Sequence, residues 1–373
     1  MNQCKVRGTI RSALILGILP GLILSSNCTG KLSEYADLKM ISPLATTDPV
    51  KFDSDDPAIW VDPGDPSRSL IIGTDKNSDG ALYVFGLDGK IIEEKTVRNL
   101  KRPNNVDVEY GLILQGKPTD IAVATEREAS RLRIFRLPDL TAIDNGGIDV
   151  FAGDRQRDPM GIACYKRQAD GAIFAIVSRK TGPTTGGYLW QYRLEDDGTG
   201  KVRGTKVREF GLFSGKKEIE AVAVDDPLGY AYYADEQVGV RKYAADPDAP
   251  NANAELALLA TEDFTADHEG ISIYEVSDGT GYIIVSDQGA NTYHIFKREG
   301  EPGNPHQHQR VKIVRLSTHN SDGSDVTNAS LNSVFPLGLF VSMSDNKTFQ
   351  LYSWADIAGT DLMIAPNGQR ITR

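Results

Sequence analysis

Six short polar pairs stand out in this chain, each ending an apolar, strand-forming run. They are Asp75-Lys76, Glu126-Arg127, Arg179-Lys180, Asp235-Glu236, Asp287-Gln288 and Ser344-Asp345. A second set precedes such runs: Asp53, Asp55 and Asp56; Asn104 and Asn105; Asp158; Glu218 and Glu220; Asp267 and Glu269. The charges are segregated by sign along the chain. Lys76, Arg102, Arg127, Arg179 and Lys180 come first; Glu218, Glu220, Asp235, Glu236, Asp267, Glu269 and Asp287 follow, then Asp322 and Asp325. Carboxylates gathered without a cation repel one another. An oxygen-only set, with His268 as the nearby exception, suits Ca²⁺ rather than zinc. Lys and Arg beside it suit a phosphate. Metal ions next to a phosphate-binding group imply phosphoryl-ester hydrolysis, with metal-activated water as nucleophile.

The elements that must bring these residues together are short β-strands. Runs rich in β-branched and aromatic residues recur in triplets between Gly, Asp, Asn and Pro, with almost no helical periodicity. PAIWVDP (57–63), SLIIGTDK (69–76) and ALYVFGL (81–87) make the first triplet. GISIYEV (270–276), YIIVSDQ (282–288) and YHIFKRE (293–299) make the fifth. The second run of each repeat begins near Ile71, Ile121, Phe174, Ala231, Ile283 and Leu339, a period of 50–57 residues. A fixed period of this size is the mark of propeller blades. Most repeats carry a fourth run, and four antiparallel strands make a blade. The last repeat lacks room for one after Trp354, so a strand from about Met40 to Lys51 is expected to complete it and close the ring. The reading is all-β, a six-bladed propeller over residues 40–360 as one domain. A sandwich would not produce an equal repeat. Adjacent antiparallel strands put the start of the first and the end of the second at the same face. Both polar sets therefore meet at one mouth, cationic on one half and anionic on the other.

Composition narrows the function. With 25% charged and 40% hydrophobic residues the chain is globular, not disordered. A net charge of −10 argues against nucleic acid as a partner, because phosphate neutralisation supplies most of that affinity. Residues 1–28 read as an export signal: Lys5, Arg7 and Arg11 precede an apolar run from Ala13 to Leu24, too short to span a bilayer. Leu24-Ser-Ser-Asn-Cys28 resembles a bacterial lipoprotein signal, with Cys28 as the lipidated residue. Ordinary secretion, with cleavage near Asn27 or Cys28, is the alternative. The expectation is an exported monomer that meets the membrane only through a lipid anchor, with 29–39 as linker and 361–373 as tail. Cys4 is lost under either reading, and Cys164 packs as a small hydrophobe, so no disulfide holds the fold.

Several motifs carry less. Asp75-Lys-Asn-Ser-Asp-Gly80 matches half of an EF-hand loop, but its twelfth position is Gly86 and no helices flank it. Thr181 to Gly187 is glycine-rich without the Gly-Lys-Ser/Thr ending of a P-loop. His306 and His308 lie in a Gly/Pro-rich loop and read as surface residues. A Gly-x-Ser-x-Gly nucleophile elbow is missing from the sequence.

Asp53-Ser-Asp-Asp-Pro-Ala-Ile-Trp-Val61, Asn104-Asn-Val-Asp107, Asp267-His-Glu-Gly270 and Phe335-Pro-Leu-Gly-Leu-Phe-Val341 together resemble the β-propeller phytases over nearly all of the chain after about residue 45. The resemblance implies removal of phosphate from myo-inositol hexakisphosphate (phytate) with several Ca²⁺ ions. It implies Lys76, Arg127 and Lys180 as phosphate-binding, catalytic cations, with Arg102 at a further basic position of the family; Arg179, in the cationic half of the mouth, is expected to bind substrate beside them. Asp55 and Asp56 are implied as calcium ligands. Glu220, Asp267, Glu269 and Gln288 are implied as holders of the catalytic calcium, with Asp235 where the family has Glu. Asp325 matches a late acidic loop, and Asn346 a structural calcium ligand. Met160 stands where the family usually has Tyr, and Thr181 where it often has Glu, so fewer or weaker calcium sites are expected. Two other functions stay open at this point: a calcium-dependent lactonase or esterase, and a non-catalytic calcium-binding surface propeller.

Overall fold

In a computed structural model of the protein, residues 35–366 are described, apart from Ala266 and Asp278. The export segment and Cys28 lie outside the described residues. Six antiparallel sheets follow one another along the chain. Blade one comprises Ser54–Trp60, Leu70–Asp75, Gly80–Phe85 and Val97–Leu100. Blade two has Pro103–Leu114, Lys117–Glu126 and Arg131–Arg136, edged by Thr141–Ala142 and Ile148–Asp149. Blade three has Pro159–Lys166, Ile173–Arg179, Leu189–Asp196 and Val202–Phe210. Blade four has Val222–Asp225, Tyr230–Asp235, Gly239–Ala244 and Ala257–Leu259. Blade five has Ile271–Ser277, Thr280–Asp287, Thr292–Lys297 and Arg310–Leu316. Blade six has Ser324–Thr327, Leu339–Ser344 and Thr348–Ser353.

The first strands of neighbouring blades lie against one another. They surround a central channel whose lining draws on every one of them, through Asp56, Asp107, Cys164, Ala223, Ser272 and Asp325 among others. Ala45–Thr46 supplies the fourth strand of blade six, with Ala45 opposite Leu351 and Thr46 opposite Gln350. The ring therefore closes through the N-terminal segment, as its missing strand required. The expected strand from Met40 to Lys51 is divided, however. Met40–Ile41 pairs in parallel with the outer strand of blade five, Met40 opposite Arg315. Pro43 lies between the two short strands, and without an N–H it cannot continue a ladder.

The core explains the apolar runs. Six buried clusters lie between consecutive blades, including the pair formed by blades six and one. Alternate residues of a strand point to opposite faces. Thus Ile59 and Ile71 pack with Leu339, Val341 and Phe349 of blade six, while Ala58, Trp60 and Ile72 pack with Val106, Ala122 and Phe135 of blade two. Both faces of each sheet are covered near the ring centre, so second strands such as Leu70–Asp75 and Ile173–Arg179 are buried throughout, while outer strands such as Val202–Phe210 keep exposed polar residues. Each fully buried Ile or Phe is worth roughly 1.5–3 kcal/mol, and the free thiol of Cys164 is buried in the cluster between blades two and three. One short α-helix, Trp354–Ala358, lies wholly within the described residues, with Trp354 stacked on Tyr274 at 3.8 Å. No described helix is long and apolar enough to cross a membrane.

Candidate active site at the propeller mouth

The end of each second strand is built the same way. The last residue of the strand turns back onto the loop entering its own blade. Asp75 accepts the backbone N–H groups of Phe52 and Asp53. Glu126 accepts that of Lys101, and Asp287 that of Thr265. Asp235 accepts from Ser214 N and Oγ and is paired with Arg241 at 2.8 Å. Arg179 donates to Gln156 O, pairs with Asp154 at 2.5 Å and lies over the Phe151 ring at 4.4 Å. Ser344 Oγ accepts from His319 N. The next residue in each blade donates its own N–H to the same loop: Lys76 to Asp53 O, Arg127 to Arg102 O, Lys180 to Asp158 O, Glu236 to Glu218 O, Gln288 to Asp267 O and Asp345 to His319 O. The side chains of this second ring are free of the latch.

Five of those side chains meet at the mouth, whereas Asp345 is exposed and accepts from Asn320 Nδ2 at 2.9 Å. Lys76 Nζ pairs with Asp55, lies 3.2 Å from Asp322 Oδ2 and 3.9 Å from Glu220 Oε1. Burial works against its ammonium, but the Asp55, Glu220 and Asp322 carboxylates outweigh it and push the group upward. Gln288 Nε2 donates to Asp322 Oδ1 at 2.6 Å. Asn104 Nδ2 donates to Glu220 Oε1 and to Asn105 Oδ1. Lys180 pairs with Glu218. Lys217 reaches Glu236 at 2.7 Å, Asp267 at 2.5 Å and Glu269 at 3.1 Å. Arg127 is drawn down from its ordinary value, first by burial, and points Nη2 at Met160 Sδ. Close approach between blades fixes these positions. A Cβ on Gly161 would lie 1.8 Å from Glu220 O, and one on Gly323 2.2 Å from Asp56 Oδ1.

Carboxylate oxygens accumulate here beyond what donors satisfy. Glu218, Glu220 and Glu236 offer oxygens within 4.8 Å of one another, and so do Glu236, Asp267 and Glu269. Oδ2 of Asp55, Oε1 of Glu236 and Oε2 of Glu269 are buried without a hydrogen bond, while the other oxygen of each faces Lys76 or Lys217. Burial pushes Asp55 and Glu269 well above the usual carboxylate range and Glu236 up to about 8. His268 stands aside: it is buried, stacked on Phe264 at 4.0 Å, and its Nε2 is 2.8 Å from Ala260 O.

The phytase family model matches residues 8–360. The 3-phytase of Bacillus subtilis (strain 168) is 31% identical, over 94% of this chain and 93% of that protein. The chain belongs to the phytase family. Its members are phosphomonoester hydrolases, and this protein is one of them. Among solved structures, the Dos1 propeller aligns at a TM-score of 0.42 with 10% identity, over 81% of this chain and 68% of that one.

In this phytase-family protein the donor set fits a hard cation: oxygens only, several of them buried and unsatisfied. The residues expected at the site divide into three groups. Lys76, Arg127, Lys180, Asp55, Glu220, Asp267, Glu269 and Gln288 are brought together at the mouth, with Arg102 beside Arg127. Asp56 and Asp325 lie in the channel below it, where Asp56 accepts from Val106 N and Asp325 from Ile59 N. Arg179, Asp235 and Asn346 are elsewhere. Arg179 and Asp235 belong to the latch, because alternate residues of a strand point to opposite sides. Asn346 is exposed and accepts from Thr348 Oγ1 at 2.6 Å. Glu236 takes the mouth position in blade four that Asp235 was expected to fill. Lys217 was absent from the expected set. Its only signal was two lysines just before Glu218, and nothing local tells which way they point.

Proposed function

We propose that this protein hydrolyses the phosphate monoesters of phytate in a calcium-dependent reaction. The observation that carries the reading is the meeting of unsatisfied buried carboxylates, from Asp55, Glu236 and Glu269, with the cations Lys76, Arg127 and Lys180 around one opening. The name of the Bacillus subtilis relative supports the substrate. Glu218, Glu220, Glu236, Asp267 and Glu269 would hold calcium, with Asp55 and Asp322 on the Lys76 side. When bound, calcium supplies Lewis-acid charge to phosphoryl oxygens and acidifies the attacking water. Lys180 is about half-exposed and presents its ammonium to a phosphate entering from solvent. Arg127 has a buried Nε with no partner, which a phosphate oxygen would satisfy. Lys76 is held by three carboxylates and therefore acts as a fixed charge. Asn104 and Gln288 hold Glu220 and Asp322 by their amides, so those carboxylates keep their positions as substrate binds.

Export and lipid anchoring through Cys28 belong to the same proposal on sequence grounds. A monomer is the proposed state. The test is phosphate release from phytate by the stripped protein, with and without added Ca²⁺. Release that is the same in both overturns the calcium dependence, and no release in either overturns the substrate.

A further inference from the structure

Lys217 sits where a divalent cation would have to sit. Its ammonium lies 2.5–3.1 Å from one oxygen each of Glu236, Asp267 and Glu269. These three residues are also the group whose ligand oxygens converge within 4.8 Å. Calcium needs oxygens at roughly 2.3–2.6 Å and six to eight of them. An ammonium has three N–H donors, one for each acid. The second oxygen of Glu236 and that of Glu269 stay buried and unsatisfied, in residues that are 0% and 4% exposed. The lysine is thus an incomplete counter-ion in a hole with room for a better one.

The lysine is also able to leave. Its side chain is 34% exposed, against 14% for Lys76. It stands on the loop between blades three and four, which Ser214 pins to Asp235 three residues earlier. Rotation of the four-carbon side chain moves the charge to solvent while the backbone stays fixed. Two cations cannot share three carboxylates at these distances, so one must exclude the other.

We propose that Lys217 is a tethered competitor for the metal, occupying the Glu236–Asp267–Glu269 site and offsetting part of its charge until a divalent cation displaces it, and so setting the metal affinity of the enzyme. The inference rests on the calcium reading above. If the ammonium occupies the site nine-tenths of the time, apparent affinity is reduced about tenfold.

The test is calorimetric titration of Ca²⁺ into the full protein as wild type, Lys217→Met and Lys217→Arg. Lys217→Met is expected to bind Ca²⁺ about tenfold tighter. It should melt lower than wild type in chelator and gain more from Ca²⁺. Lys217→Arg keeps a cation at the site and should keep the weaker binding. A second readout uses the wild type alone: acylation of Lys217 by a small amine-reactive reagent, followed by peptide mass spectrometry, should rise when Ca²⁺ is added. Equal or weaker binding by Lys217→Met, or labelling that does not rise, overturns the competition while the calcium reading stands. If neither wild type nor variant takes up Ca²⁺, both fall together.

Discussion

Arg179 and Lys180 are consecutive cations in blade three, yet they belong to two different rings of the propeller. Arg179 is 1% exposed, paired with Asp154 and bonded to three carbonyls. Lys180 is 44% exposed and pairs with Glu218 across the mouth. The same division recurs between Asp235, held by Arg241 and Ser214, and Glu236, whose neighbour is Lys217. The latch ring has its polar atoms satisfied and fixes the loop that enters each blade. The mouth ring inherits that fixed backbone and leaves its charge for something from outside. Rigidity and chemistry are thus separated by one residue of a strand.

The comparison breaks most visibly at Arg179. Arg179→Ala removes a fully buried guanidinium and leaves three carbonyl groups without their donor, while the exposed Asp154 returns to water; a buried group left unsatisfied typically costs about 1–3 kcal/mol. Denaturant unfolding should show that loss, while turnover per folded molecule falls less than in Lys180→Ala. A stable Arg179→Ala protein with no activity would return Arg179 to the mouth. Lys180→Ala and Arg127→Ala are expected to do the reverse. Each should cut phosphate release by about 10²–10³, the usual effect of losing one transition-state donor, with little change in melting temperature. Full turnover in either variant would remove that side chain from the chemistry.

A third prediction concerns pH in the presence of chelator. Burial raises Asp55, Glu269 and Glu236, the last from 4.5 to about 8. The folded protein then binds protons that the unfolded chain has released, so stability falls as pH rises. For Glu236 the contribution is complete below about 4.5 and lost as pH passes through about 8. Melting temperature in chelator should decline across that window, and saturating Ca²⁺ should flatten the decline. Glu236→Gln should remove part of the slope, whereas Asp235→Asn should lower the melting temperature and leave the slope. A flat profile in chelator would count against a cluster of buried carboxylates.

The smallest effect is expected at Met160, fully buried against Arg127. Met160→Tyr puts a hydroxyl near the guanidinium in place of sulfur. Phosphate release should rise a few-fold, on the order of what a single neutral hydrogen bond supplies, and overpacking should cost about 1–3 kcal/mol. Unchanged or lower activity would mean that the sulfur contact already positions Arg127.

Much of this was legible beforehand because it is local. The repeat shows in the sequence since the second strand of a blade is buried on both faces and so reads as an apolar run bounded by turns. The closing strand followed from a count, as blade six had three strands and the ring could not stay open. The first strand of blade six, Ser324–Thr327, is poorly marked because it is four residues long and only Val326 in it is apolar. Met40–Ile41 gave no sign of its parallel partner, which lies some 270 residues away.

The site was legible as a set of residue types at repeated positions, and that much is a property of the sequence alone: charge of both signs, oxygen ligands, one mouth. Which residue of each pair faces the mouth was not. Side chains alternate along a strand, and a slip of one position exchanges Asp235 for Glu236 and keeps Arg179 among the substrate cations. Only the tertiary structure decided the register, through the hydrogen bonds between each strand end and its incoming loop. It alone also brought Lys217 to Asp267 and Glu269, about fifty residues on in another blade. Charges separated along the chain interact through space, and their spacing is set by how blades four and five pack, not by the run of residues around any one of them.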